Sequence, residues 1–283
     1  MLQDMANGRL ENEFRNLAAT AEDLIVCFHE GKVLLSRDAD DALTLPTLGQ
    51  MARWQAPGTP QYLFRMEDRN FFLWTDTAPA SPDCGFRYEA VRTLRQLKSK
   101  EICYAIMTAW HLHIWYRSNR ICGCCGTPTV HDDKERMLRC PACGNMIFPR
   151  ISPAVIVGVT NGDRLLLSKY AGRAYTRYAL LAGYTEIGET IEETVHREVL
   201  EEVGLRVKNL RYYKSQPWGV DGNVLMGFYC DVDGSDAIHI DENELAMAGW
   251  YPRNDLPAQD DGISMTREMI RVFGEGKEPK GNP

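Results

Sequence analysis

Three glutamates, Glu198, Glu201 and Glu202, stand at i, i+3 and i+4, a spacing that gathers their carboxylates over one turn if the stretch is helical. Carboxylates so grouped repel one another unless a cation lies between them. Hard oxygen ligands at this spacing suit Mg2+ or Mn2+, which keep several waters and then accept the phosphates of a substrate. The outline is that of a diphosphate-hydrolysis site. On the glutamates alone the plainer reading, a solvated acidic helix face, carries more weight, because Glu is a good helix former and charge runs usually face water.

Four cysteines form the second set. Cys122 and Cys125 are followed, after a gap of 14 residues, by Cys140 and Cys143. Two C-x-x-C pairs are the ligand set of a closed, tetrahedral structural Zn2+ site, with no open position for catalysis. Cys124 occupies the variable place inside the first pair. The glycine after each pair lets backbone amides turn toward the sulfurs, so that the metal stabilises a ribbon too small to hold itself. The other five of the nine cysteines, Cys27, Cys84, Cys103, Cys124 and Cys230, are scattered and odd in number. That pattern favours metal binding in a reducing compartment over disulfides. Between Arg117 and Arg150 six Lys or Arg stand against three acidic residues, a local basic excess that points weakly toward nucleic acid. The formal net charge of −7 argues against bulk attraction to nucleic acid or anionic membranes.

The glutamates need a helix behind them. Gly183 and Gly188 frame a short polar loop, and from Thr190 the sequence reads as helix until Gly204 stops it. Ile191, Val195, Val199 and Val203 recur every fourth residue, a stripe to be buried against a core. Upstream, Pro153 to Val159 and Arg164 to Ser168 read as a hairpin around Asn161-Gly162-Asp163. Downstream, strands are predicted near Leu210 to Lys214, Val224 to Val232 and Gly249 to Pro252, and a last helix from about Ser264 to Phe273.

The first 20 residues read as helical and solvent-facing. Short strands follow at Leu24 to Phe28, Lys32 to Ser36, Gln61 to Arg65 and Asn70 to Thr75. In this β-rich part His29 stands alone and reads as structural, and Tyr62, Phe64, Phe71, Phe72 and Trp74 read as a core. From Arg87 to Tyr116 the spacing is helical, with Val91, Leu94 and Leu97 in one segment and Ile102, Ile106, Ala109, Leu112 and Trp115 in the next. His111 and His113 lie about 200° apart on such a helix and cannot ligate one metal together. Hydrophobic content of 44% and charge of 25% over 283 residues suit a soluble globular protein with room for two domains. No signal peptide is visible and no apolar run approaches the roughly 18 to 20 residues that span a bilayer. The expectation is a soluble, cytoplasmic protein without a membrane partner.

Gly183, Glu189, Arg197-Glu198, Glu201-Glu202 and Gly204, with the aliphatics between and after them, match every fixed position of the Nudix box. The stretch resembles the Nudix hydrolase signature. The resemblance implies an α/β fold, an α/β/α sandwich with a mixed sheet, that hydrolyses a nucleoside diphosphate linked to another group. The order of β-rich domain, zinc ribbon and Nudix domain resembles the NADH pyrophosphatase family, also called NAD+ diphosphatases, over nearly the whole chain. The organisation so predicted is a β-rich domain at 1–86, a helical connector at 87–117, a zinc ribbon at 118–150, a Nudix domain at 151–273 and a disordered tail at 274–283.

The family's chemistry carries over by position. The resemblance implies that Glu198, Glu201 and Glu202 hold one or more Mg2+ or Mn2+ ions, which neutralise the diphosphate and lower the pKa of a water that attacks phosphorus. Glu244 matches a family glutamate outside the box that adds a metal contact or the base; it equally fits a surface carboxylate in an acidic run. Glu189 and Arg197 read as a brace between loop and helix. Ser215-Gln216-Pro217-Trp218 matches the first four residues of the family hallmark Ser-Gln-Pro-Trp-Pro-Phe-Pro-x-Ser. There the match ends, since Gly219-Val220-Asp221-Gly222-Asn223 is flexible and polar where the family has a stiff, proline-bracketed aromatic. Ser264-Met265-Thr266 stands where the family tends to have Ser-Ile-Ala. Tyr184 fills the aromatic position after the first box glycine, to stack on a base or to pack on its own domain. The substrate-binding candidates are therefore Tyr184, Gln216, Trp218 and Thr266. What the resemblance implies is cleavage of NAD(H) to NMN(H) and AMP, action on NAD-capped RNA, and a homodimer. The altered segment leaves a pyrophosphatase for ADP-ribose or another dinucleotide as the alternative. A non-catalytic module that senses a nucleotide and binds nucleic acid is the reading from another class.

Overall fold

The computed structural model describes residues 1–5, 9–75, 85–94, 99–172, 176–257 and 262–280. The chain divides into two compact units, one made of Leu2–Arg150 with Gly219–Gly222, the other of Met1, Ile151–Trp218 and Asn223–Pro283.

The first of these opens with strands β1 (Leu10–Glu11), β2 (Leu24–Val26), β3 (Phe28–His29), β4 (Lys32–Arg37) and β5 (Leu43–Thr44), and a short helix α1 (Leu48–Arg53). Strands β6 (Pro60–Met66), β7 (Arg69–Trp74) and β8 (Phe86–Ala90) and helices α2 (Val91–Leu94) and α3 (Lys100–Ser118) follow. One sheet runs β1-β6-β7-β2; in the other, β4 pairs with β3, β5 and β8. Tyr62, Phe64, Phe71, Phe72 and Trp74 are buried, as the aromatic run predicts for a core. His29 lies against the Tyr88 ring at 5.8 Å, and His113 against Phe28 at 4.9 Å.

Two expectations for this part are corrected. No described residue among the first 20 is helical. Leu10 and Glu11 add to the edge of β6, the Arg136 guanidinium donates to the Asn12 carbonyl and covers the Phe14 ring, and these contacts outweigh a modest helical propensity. Residues 86–90, assigned largely to the helical connector, form β8, because Arg87 and Tyr88 find backbone partners in Leu35 and Leu34 of β4. Leu97 and Cys84 lie outside the described residues. The unit closes with a three-stranded ribbon, β9 (Val130–His131), β10 (Leu138–Arg139) and β11 (Met146–Ile147), in the order β11-β10-β9.

The other unit is built on one mixed sheet. Strands β12 (Ser152–Asn161), β13 (Arg164–Tyr170), β14 (Leu181–Tyr184), β15 (Val207–Trp218), β16 (Asn223–Val232) and β17 (Leu245–Pro252) run in the order β15-β16-β12-β13-β17, with β14 also paired to β12. Strands β12 and β16 are parallel, from Ser152 opposite Asn223 to Thr160 opposite Asp231. Side chains alternate between the two faces. Val155, Val157 and Val159 pack with Val195, Val199 and Val203 of helix α4 (Ile191–Val203). Ile156 packs with Tyr229 and with Met265 and Met269 of helix α5 (Met265–Gly274) on the opposite face. The unit is thus an α/β/α sandwich. Each helix covers one face because its apolar stripe repeats at the helical period.

The tail is also corrected. Lys277 donates its backbone N–H to the Val272 carbonyl at 3.0 Å, and Arg253 pairs with Glu278 at 2.8 Å, so 275–280 are ordered against the end of α5. Composition suggests disorder, but backbone bonds from Glu275, Gly276 and Lys277 back to α5 and ion pairs at Glu275 and Glu278 hold this short segment; 281–283 lie outside the described residues. No described helix is long and apolar enough to cross a membrane.

Candidate functional site

Helix α4 is fixed at both ends by its own sequence. Thr190 accepts from the Glu193 N–H at 3.2 Å while the Glu193 carboxylate accepts from the Thr190 N–H at 2.7 Å, a reciprocal cap. Gly204, with φ of 70°, ends the helix in the left-handed region. The loop before the helix is tied to it by Arg197. Its Nε and Nη2 donate to the two oxygens of Glu189 at 2.5 and 2.9 Å, and Nη2 also reaches the Tyr184 carbonyl at 2.8 Å. Nη1 donates to Glu198 at 2.7 Å and to Glu201 at 2.9 Å. A planar guanidinium with five donors can serve all four acceptors at once. Hydrogen bonds from Arg197 hold the Glu189 carboxyl at about 2, well below the usual range.

Glu198 and Glu202 are buried, at 8% and 2% exposure, and Glu201 and Glu244 are exposed. The Glu198 carboxyl lies against the backbone of Gly183, where a β-carbon would meet its Cδ at 1.8 Å. Burial raises the Glu198 pKa; Arg197 pulls it the other way, and repulsion from Glu201 and Glu244 adds to the rise. Glu244, 46 residues away in the chain, is thus near enough to contribute to the rise at Glu198. Among the described residues, the four ribbon cysteines are the group whose ligand atoms all lie within 4.8 Å of one another.

The residues expected to touch substrate sit at one end of the sheet. Ala154 pairs with Tyr184 of β14 on one side and Leu225 of β16 on the other, and Leu225 pairs with Gln216 of β15. Trp218 is opposite Asn223. By strand alternation Tyr184, Gln216, Trp218 and Asn223 belong to the α5 face, whereas Gly183 belongs to the α4 face and meets Glu198. Thr266 lies in the first turn of α5, half-buried. Gln216 is fully buried: its Nε2 donates to the Ile263 carbonyl at 2.8 Å and its Oε1 accepts from the Met265 N–H at 2.9 Å. Both bonds hold the start of α5.

In the ribbon, the Sγ atoms of Cys122 and Cys143 are 3.7 Å apart, and those of Cys125 and Cys140 are 3.4 Å apart. The two knuckles repeat one geometry, with the N–H of Gly126 on the Cys122 carbonyl and that of Gly144 on the Cys140 carbonyl. Backbone N–H groups of Cys124 and Cys125 pull the Cys122 thiol down to about 6. Although the Asn145 N–H acts in the opposite sense, the neighbouring thiols push Cys143 up to about 12. Four adjacent thiols cannot all ionise without a cation among them, which is the condition Zn2+ meets.

A family model for the NUDIX domain matches residues 150–273, and one for the NADH pyrophosphatase zinc ribbon domain matches residues 117–148. The chain is 34% identical over 241 residues to the NAD-capped RNA hydrolase NudC of Stutzerimonas stutzeri, covering 85% of this chain and 83% of that protein. The chain belongs to the Nudix hydrolases with an NADH pyrophosphatase zinc ribbon. NudC of Pectobacterium atrosepticum is 35% identical over 68% of this Nudix hydrolase and 74% of that protein. NudC of Chromobacterium violaceum is 42% identical over 59% of the chain and 63% of that protein. A solved Nudix hydrolase from Nitrosomonas europaea superposes with a TM-score of 0.47 at 21% identity, over 55% of this chain and 91% of that one.

The donor set of the Nudix hydrolase fits a hard divalent ion. It consists of carboxylate oxygens, one of them seated in a cradle that a β-carbon at 183 would fill. Two features escaped the sequence. Box spacing marks Gly183 as fixed without saying that Glu198 needs its missing side chain. Asn223, whose amide lies against the Tyr184 phenol, ends a segment that departs from the family hallmark, so no motif singles it out.

Proposed function

We propose that this Nudix hydrolase cleaves the pyrophosphate bond of NAD(H), releasing NMN(H) and AMP, and accepts NAD-capped RNA as an extended form of the same substrate. Glu198, Glu201 and Glu202, with Glu244, would hold Mg2+ or Mn2+. Such an ion supplies charge neutralisation for the diphosphate and acidifies a water. The remaining work falls to the chain's own residues. Glu189 and Arg197 hold the loop and aim Glu198 and Glu201, Gly183 leaves room for the Glu198 carboxyl, and Tyr184 and Trp218 form the wall against which a base is placed. Water oxygen bonds to one phosphorus as the bridging P–O bond breaks, and the water proton is taken up by a carboxylate.

The observation that carries this reading is the seating of Glu198 against Gly183, with Arg197 spanning Glu189, Glu198 and Glu201. A buried carboxylate sharing one guanidinium with Glu189 and Glu201 supports a site for a cation and a phosphate over a purely solvated face. The relatives named as NAD-capped RNA hydrolases support the choice of substrate. The Zn2+ ribbon is structural in this scheme, and a cytoplasmic homodimer completes it.

The test offers NADH, NAD+, ADP-ribose and diadenosine compounds in parallel to the purified chain with Mg2+ or Mn2+, and follows AMP release. Cleavage of NADH that chelation abolishes supports the reading. Preference for ADP-ribose would move the protein to the alternative substrate class. Binding of nucleic acid with no hydrolysis of any nucleotide would remove it from the enzymes.

A further inference from the structure

Tyr184 is half exposed, at 52%, yet it is held at both ends. Arg197 donates to its carbonyl at 2.8 Å, and the Asn223 amide lies against its phenol, with Nδ2 3.0 Å and Oδ1 3.2 Å away. Asn223 is itself buried, at 8% exposure, and its backbone is paired between Trp218 of β15 and Ser152 of β12. An exposed tyrosine at the end of a strand ordinarily keeps its rotamer freedom and satisfies its hydroxyl with water. Here a buried amide, which cannot swing away, restricts the ring instead.

We infer that Asn223 is a positioning residue for substrate binding: its amide fixes the Tyr184 ring as a preformed stacking wall for a heteroaromatic base of the substrate. The assignment rests on the proposed function above. Ring and amide then act as one device. Tyr184 at the aromatic position carries a hydroxyl that the Asn223 amide meets, and the altered segment after Trp218 ends in that asparagine. Holding the ring in advance lowers the ordering cost of binding and leaves the chemical step untouched.

Asn223→Ala, Tyr184→Phe and the double variant separate this from a merely structural role. In the full-length chain, each single variant is expected to raise KM for NADH about tenfold, with kcat within about twofold of the parent. The double variant is expected to be no worse than either single, because both remove the same contact. Calorimetric titration of NAD+ in EDTA, where no turnover occurs, should show the same pattern in Kd. Multiplying effects in the double variant, or a lowered melting temperature with unchanged KM and Kd, would overturn the inference. If the parent neither binds NAD+ nor cleaves NADH but cleaves ADP-ribose, the substrate reading alone fails. The same cycle run on ADP-ribose then decides the role of Asn223.

Discussion

The Glu198 carboxyl carbon lies 1.8 Å from the point that a β-carbon on Gly183 would occupy, and its two oxygens lie 2.0 and 2.1 Å from it. Gly183→Ala must displace the carboxylate, which is the far end of a flexible side chain and can move without disturbing the sheet. The expected result is a fall in kcat of about 100-fold, the scale of a misplacement near 1 Å, with little change in melting temperature. Steady-state kinetics and thermal unfolding on the same preparation check it.

Arg197 joins four acceptors across loop and helix. Lysine keeps the charge but offers one nitrogen, so Arg197→Lys cannot bridge both oxygens of Glu189 and still reach Tyr184, Glu198 and Glu201. Its kcat/KM should fall by about tenfold or more, equivalent to ~1.4 kcal/mol of transition-state stabilisation. Near-parental activity in this variant would show that the brace is dispensable.

Glu202 is 2% exposed on the helix that carries the box. Glu202→Gln keeps the shape and removes the charge, so turnover should drop by about 1,000-fold while unfolding stays cooperative at the same temperature or higher. Retention of most of the activity would remove Glu202 from the site.

Glu268 anchors α5 and gives a pH signature outside the site. Burial alone would raise its pKa, but Lys214 at 2.8 Å, the Tyr213 hydroxyl at 2.6 Å and the Met1 ammonium at 3.0 Å prevail and hold it at about 2. A depressed carboxyl stabilises the fold above its ordinary value of 4.5, and that contribution is lost as pH falls toward 2. Glu268→Gln should therefore melt below the parent at pH 7, with the gap closing between pH 4.5 and 2. A pH-independent gap would mean that packing, not charge, sets the difference.

The ribbon should bind one Zn2+ per chain. Cys122→Ser and Cys140→Ser are expected to lose it, and Cys124→Ser to keep it, since Cys124 is exposed and outside the four-sulfur group. Metal content after dialysis, read with a colorimetric chelator, distinguishes the three.

Local spacing determined a good deal. The cap at Thr190, the stop at Gly204 and the buried valine stripe are properties of a few adjacent residues, and α4 occupies Ile191–Val203 as its periodicity predicts. The cysteine pairs likewise meet at one point, because two C-x-x-C knuckles present their thiols in a nearly fixed geometry. Only the tertiary structure decided that Gly183 makes room for Glu198, that Gln216 is spent on the start of α5 and that Asn223 meets Tyr184. Those relations join residues 15 to 49 positions apart, between a strand and a helix packed on the sheet or between strands that flank a third. The order of strands and the seating of helices on them set such contacts, and no local period encodes either. The same reason explains the first 20 residues, where an available sheet edge and the half-buried Arg136 outweighed helical propensity.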